Sequence, residues 1–234
     1  MGPLRVRAVG GADRRGGGDG PAIMLCHGFG APGDDLVPLA RVVDVGVGVR
    51  WFFPEAPIAL DLRFGAAGRA WWNFDMARLE ETFARERQRD LANATPVGLA
   101  AARAALEGCL AALERERGVR RDRLILGGFS QGGMLATEVA LHADEPFAGL
   151  AVLSGALLSE DRWREAAARS GPSIDAMMSH GRSDPLLPFA GAEELRALLE
   201  QAGARVEWVA HNGQHEIPMV AMERLGAFAR RRLG

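Results

Sequence analysis

The apolar run at residues 123–129 passes directly into Gly127-Gly128-Phe129-Ser130-Gln131-Gly132-Gly133, and helical spacing takes over at 134–142. A strand that turns into a helix within one or two residues is the unit from which parallel α/β sheets are built, because parallel strands need a crossover to return the chain. The rest of the sequence repeats the unit. Strand-like runs at 4–9, 22–26, 50–53, 148–153, 174–179 and 205–210 alternate with helical spacing at 34–43, 96–117, 160–169, 188–202 and 218–232. Residues 10–20, rich in Gly, Asp and Arg, read as a turn. The expectation is a single α/β domain over 1–234, with a mostly parallel central sheet and helices on both faces. The periodicity fails between 55 and 95, where Trp71, Trp72, Phe74 and Phe83 stand among many charges, so this span is expected to be an irregular, cap-like insertion.

Composition narrows the function classes. The 28 basic and 30 acidic residues nearly cancel, to a net charge of −2, which provides no field to draw nucleic acid or an anionic membrane. No run approaches the ~20 apolar residues of a membrane span, and residues 1–20 hold no apolar leader core. Two cysteines, Cys26 and Cys109, are too few for a disulfide framework or a cysteine-based metal site, so a reducing, cytoplasmic setting is expected. Every basic residue is Arg, and Lys and Tyr are absent. That removes lysine nucleophiles, Schiff bases and tyrosine acids from consideration.

The segment Gly128-Phe129-Ser130-Gln131-Gly132 has the G-x-S-x-G form of a nucleophile elbow, in which a sharp strand-to-helix turn lifts a serine hydroxyl off the sheet edge. A phosphate-cradling glycine loop is the competing reading, but it lacks the lysine such loops use. A serine hydroxyl is a weak nucleophile and needs a base. Partners in this architecture follow in the order serine, acid, histidine. Of the five histidines, His27 precedes the serine and His142 lies too far along the following helix. His180 ends a strand. His211 continues the last strand, whereas His215 sits in the loop Asn212-Gly213-Gln214-His215-Glu216, from which an imidazole can swing over the serine. His215 is preferred and His211 stays open. Asp184, in the loop after the preceding strand, is the candidate acid that would hold one imidazole tautomer. A turn residue before proline is its bland alternative.

Acyl chemistry also needs backbone donors for an oxyanion. The amide of Gln131 is one candidate. Phe29, in Cys26-His27-Gly28-Phe29-Gly30 after the early strand, is the other. No His-x-x-x-His with a carboxylate lies on a helix, so no metal site is expected. Trp71, Trp72 and Phe74 could line an acyl pocket or could be core residues under a cap.

Four blocks together resemble the phospholipase/carboxylesterase family of α/β-hydrolases, which includes the acyl-protein thioesterases. They are Leu25-Cys26-His27-Gly28-Phe29-Gly30, Gly128-Phe129-Ser130-Gln131-Gly132-Gly133-Met134, His180-Gly181-Arg182-Ser183-Asp184-Pro185 and Gly213-Gln214-His215-Glu216-Ile217. The resemblance implies the α/β-hydrolase fold and a serine esterase or thioesterase acting on small or acylated substrates without metal or organic cofactor. It implies a triad of Ser130, Asp184 and His215, with oxyanion amides from Phe29 and Gln131. Trp71-Trp72-Asn73-Phe74-Asp75 is similar to the family's Trp-Phe-Asp element but carries extra residues. A silent binding protein on the same scaffold, or a hydrolase of lactones or peptides, are the competing functions.

Overall fold

The structure, a computed structural model, describes residues 1–61, 67–73 and 95–234. Its strands are β1 (Val6–Gly11), β2 (Arg15–Gly17), β3 (Ala22–Cys26), β4 (Arg50–Pro54), β5 (Ile58–Asp61), β6 (Ala67–Ala70), β7 (Leu124–Phe129), β8 (Gly149–Leu153), β9 (Asp175–Gly181) and β10 (Arg205–His211). The described helices are α1 (Leu39–Val42), α2 (Leu99–Arg117), α3 (Gln131–Leu141), α4 (Glu160–Ser170), α5 (Phe189–Gln201) and α6 (Met219–Leu233). Eight of these strands form one sheet in the order β10-β9-β8-β7-β3-β4-β1-β2. β4, β3, β7, β8, β9 and β10 run parallel to one another, and β1 joins β4 antiparallel.

The central strands are buried along their length, save half-buried Phe129 at the end of β7, as a sheet covered on both faces requires. Period-2 alternation sorts their side chains into two cores. Met24, Phe52, Leu126, Val152 and Met178 face α2, α3 and α4. Ile23, Leu25, Trp51, Phe53, Ile125 and Met177 face α1 and α6. Helix α3 is buried on every side, which suits its Gly, Ala, Leu and Val content.

Three local expectations are corrected. Helical spacing at 34–43 yields only α1, because Pro38 has no N–H to donate and stands at the helix cap, preceded by turns from Asp34 and Leu36. The span 10–20 contains β2 as well as turns. Within 55–95, β5 and β6 pair antiparallel, and β6 (Ala67-Gly68-Arg69-Ala70) gives little β signal; residues 62–66 and 74–94 lie outside the described residues. Phe74 and Phe83 lie outside the described residues.

Candidate active site

Ser130 stands between the end of β7 and the start of α3, with φ 54° and ψ −119°. A non-glycine residue rarely adopts positive φ, and it persists only where the surroundings fix it. Here the Ser130 N–H donates to Leu153 O at 2.8 Å, and its carbonyl accepts the Met134 N–H at 3.1 Å. The turn also needs space. A Cβ on Gly132 would lie 2.0 Å from Cys26 O, so the chain can cross the end of β3 only without a side chain there. A Cβ on Gly28 would lie 3.3 Å from the Ser130 Cβ, which places the Gly28–Phe29 loop against the serine.

Asp184 and His215 meet. His215 Nδ1 lies 2.7 Å from Asp184 Oδ2. The other oxygen, Oδ1, accepts the N–H groups of Leu186 and Leu187 at 2.8 and 2.9 Å. His180 Nε2 is 3.2 Å from Oδ2 and 2.9 Å from Leu187 O. Burial alone would raise the Asp184 carboxyl. The hydrogen bonds from His180 and His215, the charge at His215 and the Leu187 amide outweigh it and hold the group far below the usual carboxylate range. An ionised Asp184 can only accept, so His215 carries a proton on Nδ1, and in the neutral ring Nε2 is the acceptor. The His215 ring packs on Phe129, the residue before Ser130, with centroids 4.7 Å apart.

His211 is placed elsewhere. Its Nδ1 accepts the Gly213 N–H at 3.2 Å, and burial lowers its pKa. His142 is turned back on its own helix, with Nδ1 2.8 Å from Glu138 O. Asp175 begins β9 and pairs with Arg205 at 3.0 Å and Arg232 at 3.1 Å.

Trp71 and Trp72 are 1% and 0% exposed and belong to the core beside α2. Of their two readings, burial favours core over an open pocket wall. Two contributors went unread in the sequence. His180 sits four residues before Asp184 and donates to it, a His-x-x-x-Asp spacing across the strand end that could have marked it. His27 shapes the neighbouring loop: Ala56 N–H donates to its Nε2 at 3.0 Å, so Nδ1 holds the hydrogen that reaches Gly28 O at 2.7 Å. Burial keeps this ring neutral by lowering its pKa. Among the described residues, no group of three or more His, Cys, Asp or Glu side chains is arranged to hold a metal ion.

The sequence profile of the phospholipase/carboxylesterase family matches residues 17–232, nearly the whole chain. The chain belongs to that family. Membership makes it a serine hydrolase. Acyl-protein thioesterase 1 of Cryptococcus neoformans is 25% identical over 187 residues, covering 79% of this chain and 75% of its own. Acyl-protein thioesterase 1 of Schizosaccharomyces pombe is 26% identical over 171 residues, 71% of this chain and 69% of its own. In fold, the chain is similar to esterase PE8, with a TM-score of 0.79 at 23% identity over 98% of this chain and 99% of that one. Acyl-protein thioesterase 2 of Zea mays aligns with a TM-score of 0.74 at 20% identity, over the same shares.

Proposed function

We propose that the protein is a serine carboxylesterase or acyl thioesterase working through Ser130, His215 and Asp184. The carrying observation is the strained Ser130 turn beside the Asp184–His215 hydrogen bond. Ser130 Oγ attacks the carbonyl carbon while His215 Nε2 takes its proton. Asp184 keeps the imidazole in the required tautomer and stabilises the imidazolium. The oxyanion rests on the amides of Phe29 and Gln131. His215 then protonates an alkoxide leaving group; a thiolate can leave unprotonated, with His215 releasing its proton to solvent, so in either case the imidazole is neutral again. Water, deprotonated by His215, opens the acyl-enzyme and frees Ser130. The similarity to acyl-protein thioesterases supports the thioester half of the reading. Among the described residues no helix is long and apolar enough to cross a membrane, and the substrate is taken as a small ester or an acylated molecule.

Replacing Ser130 by Ala should lower kcat by ~10⁴–10⁶, because the three groups act as a unit. The wild type should be labelled by a fluorophosphonate at Ser130 and should keep its activity in chelator. Ester hydrolysis by Ser130→Ala at near-normal rate would overturn the nucleophile. A wild type that binds esters but neither turns them over nor labels would be a silent binding protein.

A further inference from the structure

The reading above uses the backbone amide of Gln131 and leaves its side chain idle. That side chain is wholly buried, at 0% exposure. Its Oε1 accepts the Trp71 N–H at 2.9 Å, and its Nε2 donates to Trp72 O at 2.8 Å. Both ends of one carboxamide are thus spent on two consecutive residues. Trp71 makes a further bond in the other direction, its indole Nε1–H donating to His27 O at 2.9 Å. Just upstream, Gly30 N–H donates to Arg69 O at 2.8 Å, and Arg69 N–H donates to Ala31 O at 2.9 Å. Residues 69–72 are therefore bonded on one side to the loop that carries Phe29 and on the other to Gln131.

The Phe29 amide follows β3 and the Gln131 amide follows β7. Each could shift with its own loop. We propose that residues 69–72 are a brace that fixes these two amides relative to one another. Gln131, through its carboxamide, and Trp71, through its indole, are positioning residues for the oxyanion. This inference rests on the serine-esterase reading. Donors aimed at an oxyanion act on the transition state far more than on the bound ester, so loosening them lowers kcat and leaves KM nearly unchanged. A clamp that served folding alone would lower the melting temperature and leave turnover per folded site intact.

The test uses the full chain and two substitutions. Gln131→Met keeps the backbone N–H and the side-chain length but loses both bonds. Trp71→Phe keeps a packed ring but loses the indole N–H. Active sites are counted by fluorophosphonate labelling, and kcat and KM are measured on p-nitrophenyl butyrate well below the melting temperature. Inhibition by a trifluoromethyl ketone, which forms an oxyanion adduct with the serine, is measured alongside. For Gln131→Met, kcat per labelled site should fall ~10–100-fold, with KM within about twofold and ketone affinity weakened in step. Trp71→Phe should show the same pattern at several-fold, and it decides alone if Gln131→Met does not fold. Wild-type kcat per labelled site, or a raised KM at unchanged kcat, overturns the brace. A wild type that neither labels nor hydrolyses overturns the esterase reading and the brace with it; a labelled wild type with unaffected variants overturns the brace alone.

Discussion

Asp184 accepts hydrogen bonds at both carboxylate oxygens, two from backbone amides and two from imidazoles. The backbone pair holds the carboxylate still whichever imidazole is removed. His215→Ala should therefore leave Asp184 in place and delete the proposed base alone, lowering kcat/KM by ~10⁴ or more. His211→Ala breaks a local bond to Gly213 and should cost activity no more than about tenfold, a loss of fit rather than of chemistry. Ester kinetics on the two variants compare them directly, and the reverse order of severity would mean that His211 is the base. At Gly132 the issue is space. A methyl group 2.0 Å from Cys26 O cannot be accommodated without moving β3 or the elbow, so Gly132→Ala should yield protein without ester turnover or no folded protein. A soluble, fully active Gly132→Ala would show that the elbow does not need this close crossing.

Helix α3 is held at its far end by a buried carboxylate. Glu138 is 0% exposed and accepts the Trp163 indole N–H at 2.7 Å, with Arg103 and Arg162 each 3.4 Å away. It ties α2 and α4 to the helix whose first turn follows Ser130. Both arginines are partly exposed and can turn to water, whereas the Trp163 N–H cannot. Glu138→Leu should therefore cost roughly 2–3 kcal/mol in urea unfolding, and Glu138→Gln, which can still accept from Trp163, clearly less. Equal losses would assign the cost to charge instead of the indole. The tryptophans following β6 behave similarly. Trp72→Ala should cost ~3–5 kcal/mol of stability and lower ester turnover to the same degree at every acyl length. A loss that grows from acetate to octanoate esters would return Trp72 to the acyl pocket. What the sequence displayed at this scale follows local physics. The buried strands β3, β7, β8 and β9 announce themselves as apolar runs, and the Gly-x-Ser-x-Gly turn reports the elbow because only glycine fits the crossing at 132. The loop placements of Asp184 and His215 were legible for the same reason, each following a strand with a clear end. The β5–β6 pairing was not, since the four residues of Ile58-Ala59-Leu60-Asp61 are too few to show a period and Ala67-Gly68-Arg69-Ala70 carries no strand pattern. The burial of Trp71 and Trp72 was not either, because an aromatic residue suits a core as well as a pocket. The Gln131 carboxamide joins residues 60 apart in sequence, and no local spacing encodes such a bond.

At the scale of the whole molecule, the unusual composition makes the response to alkali unusually simple. With no lysine and no tyrosine, and with arginine charged throughout, the side chains that titrate between pH 8 and 12 are the thiols of Cys26 and Cys109. Both are buried among apolar side chains of the core beside α2. Burial raises the Cys26 pKa far above its ordinary value, with Cys109 adding to the effect, and it pushes Cys109 up to about 11. A thiol whose folded pKa lies above the unfolded value of ~8.5 contributes stability that is fully present below that value and is lost as pH rises, because the unfolded chain ionises first. At the acid side the signs reverse. His27 and His211, lowered by burial, and Asp184, lowered by its hydrogen bonds, contribute stability present above the unfolded values of ~6.5 and ~3.9 and lost as pH falls through them. Asp35, raised by burial, opposes this trend as a single group. Stability should therefore be greatest between about pH 6.5 and 8.5. Above that range it should fall by about 1.4 kcal/mol per pH unit for each thiol, or ~2.7 for the pair, until Cys109 ionises in the folded state as well. Urea unfolding at half-unit steps from pH 7 to 10.5 measures the slope. The Cys26→Ala/Cys109→Ala variant should start less stable and lose almost no further stability across the same steps. The same suppression of the thiolates predicts that iodoacetamide at pH 8 leaves ester hydrolysis by the folded wild type intact. An alkaline slope that survives removal of both cysteines would mean that some other folded-state group yields to base, and the thiol assignment would fail.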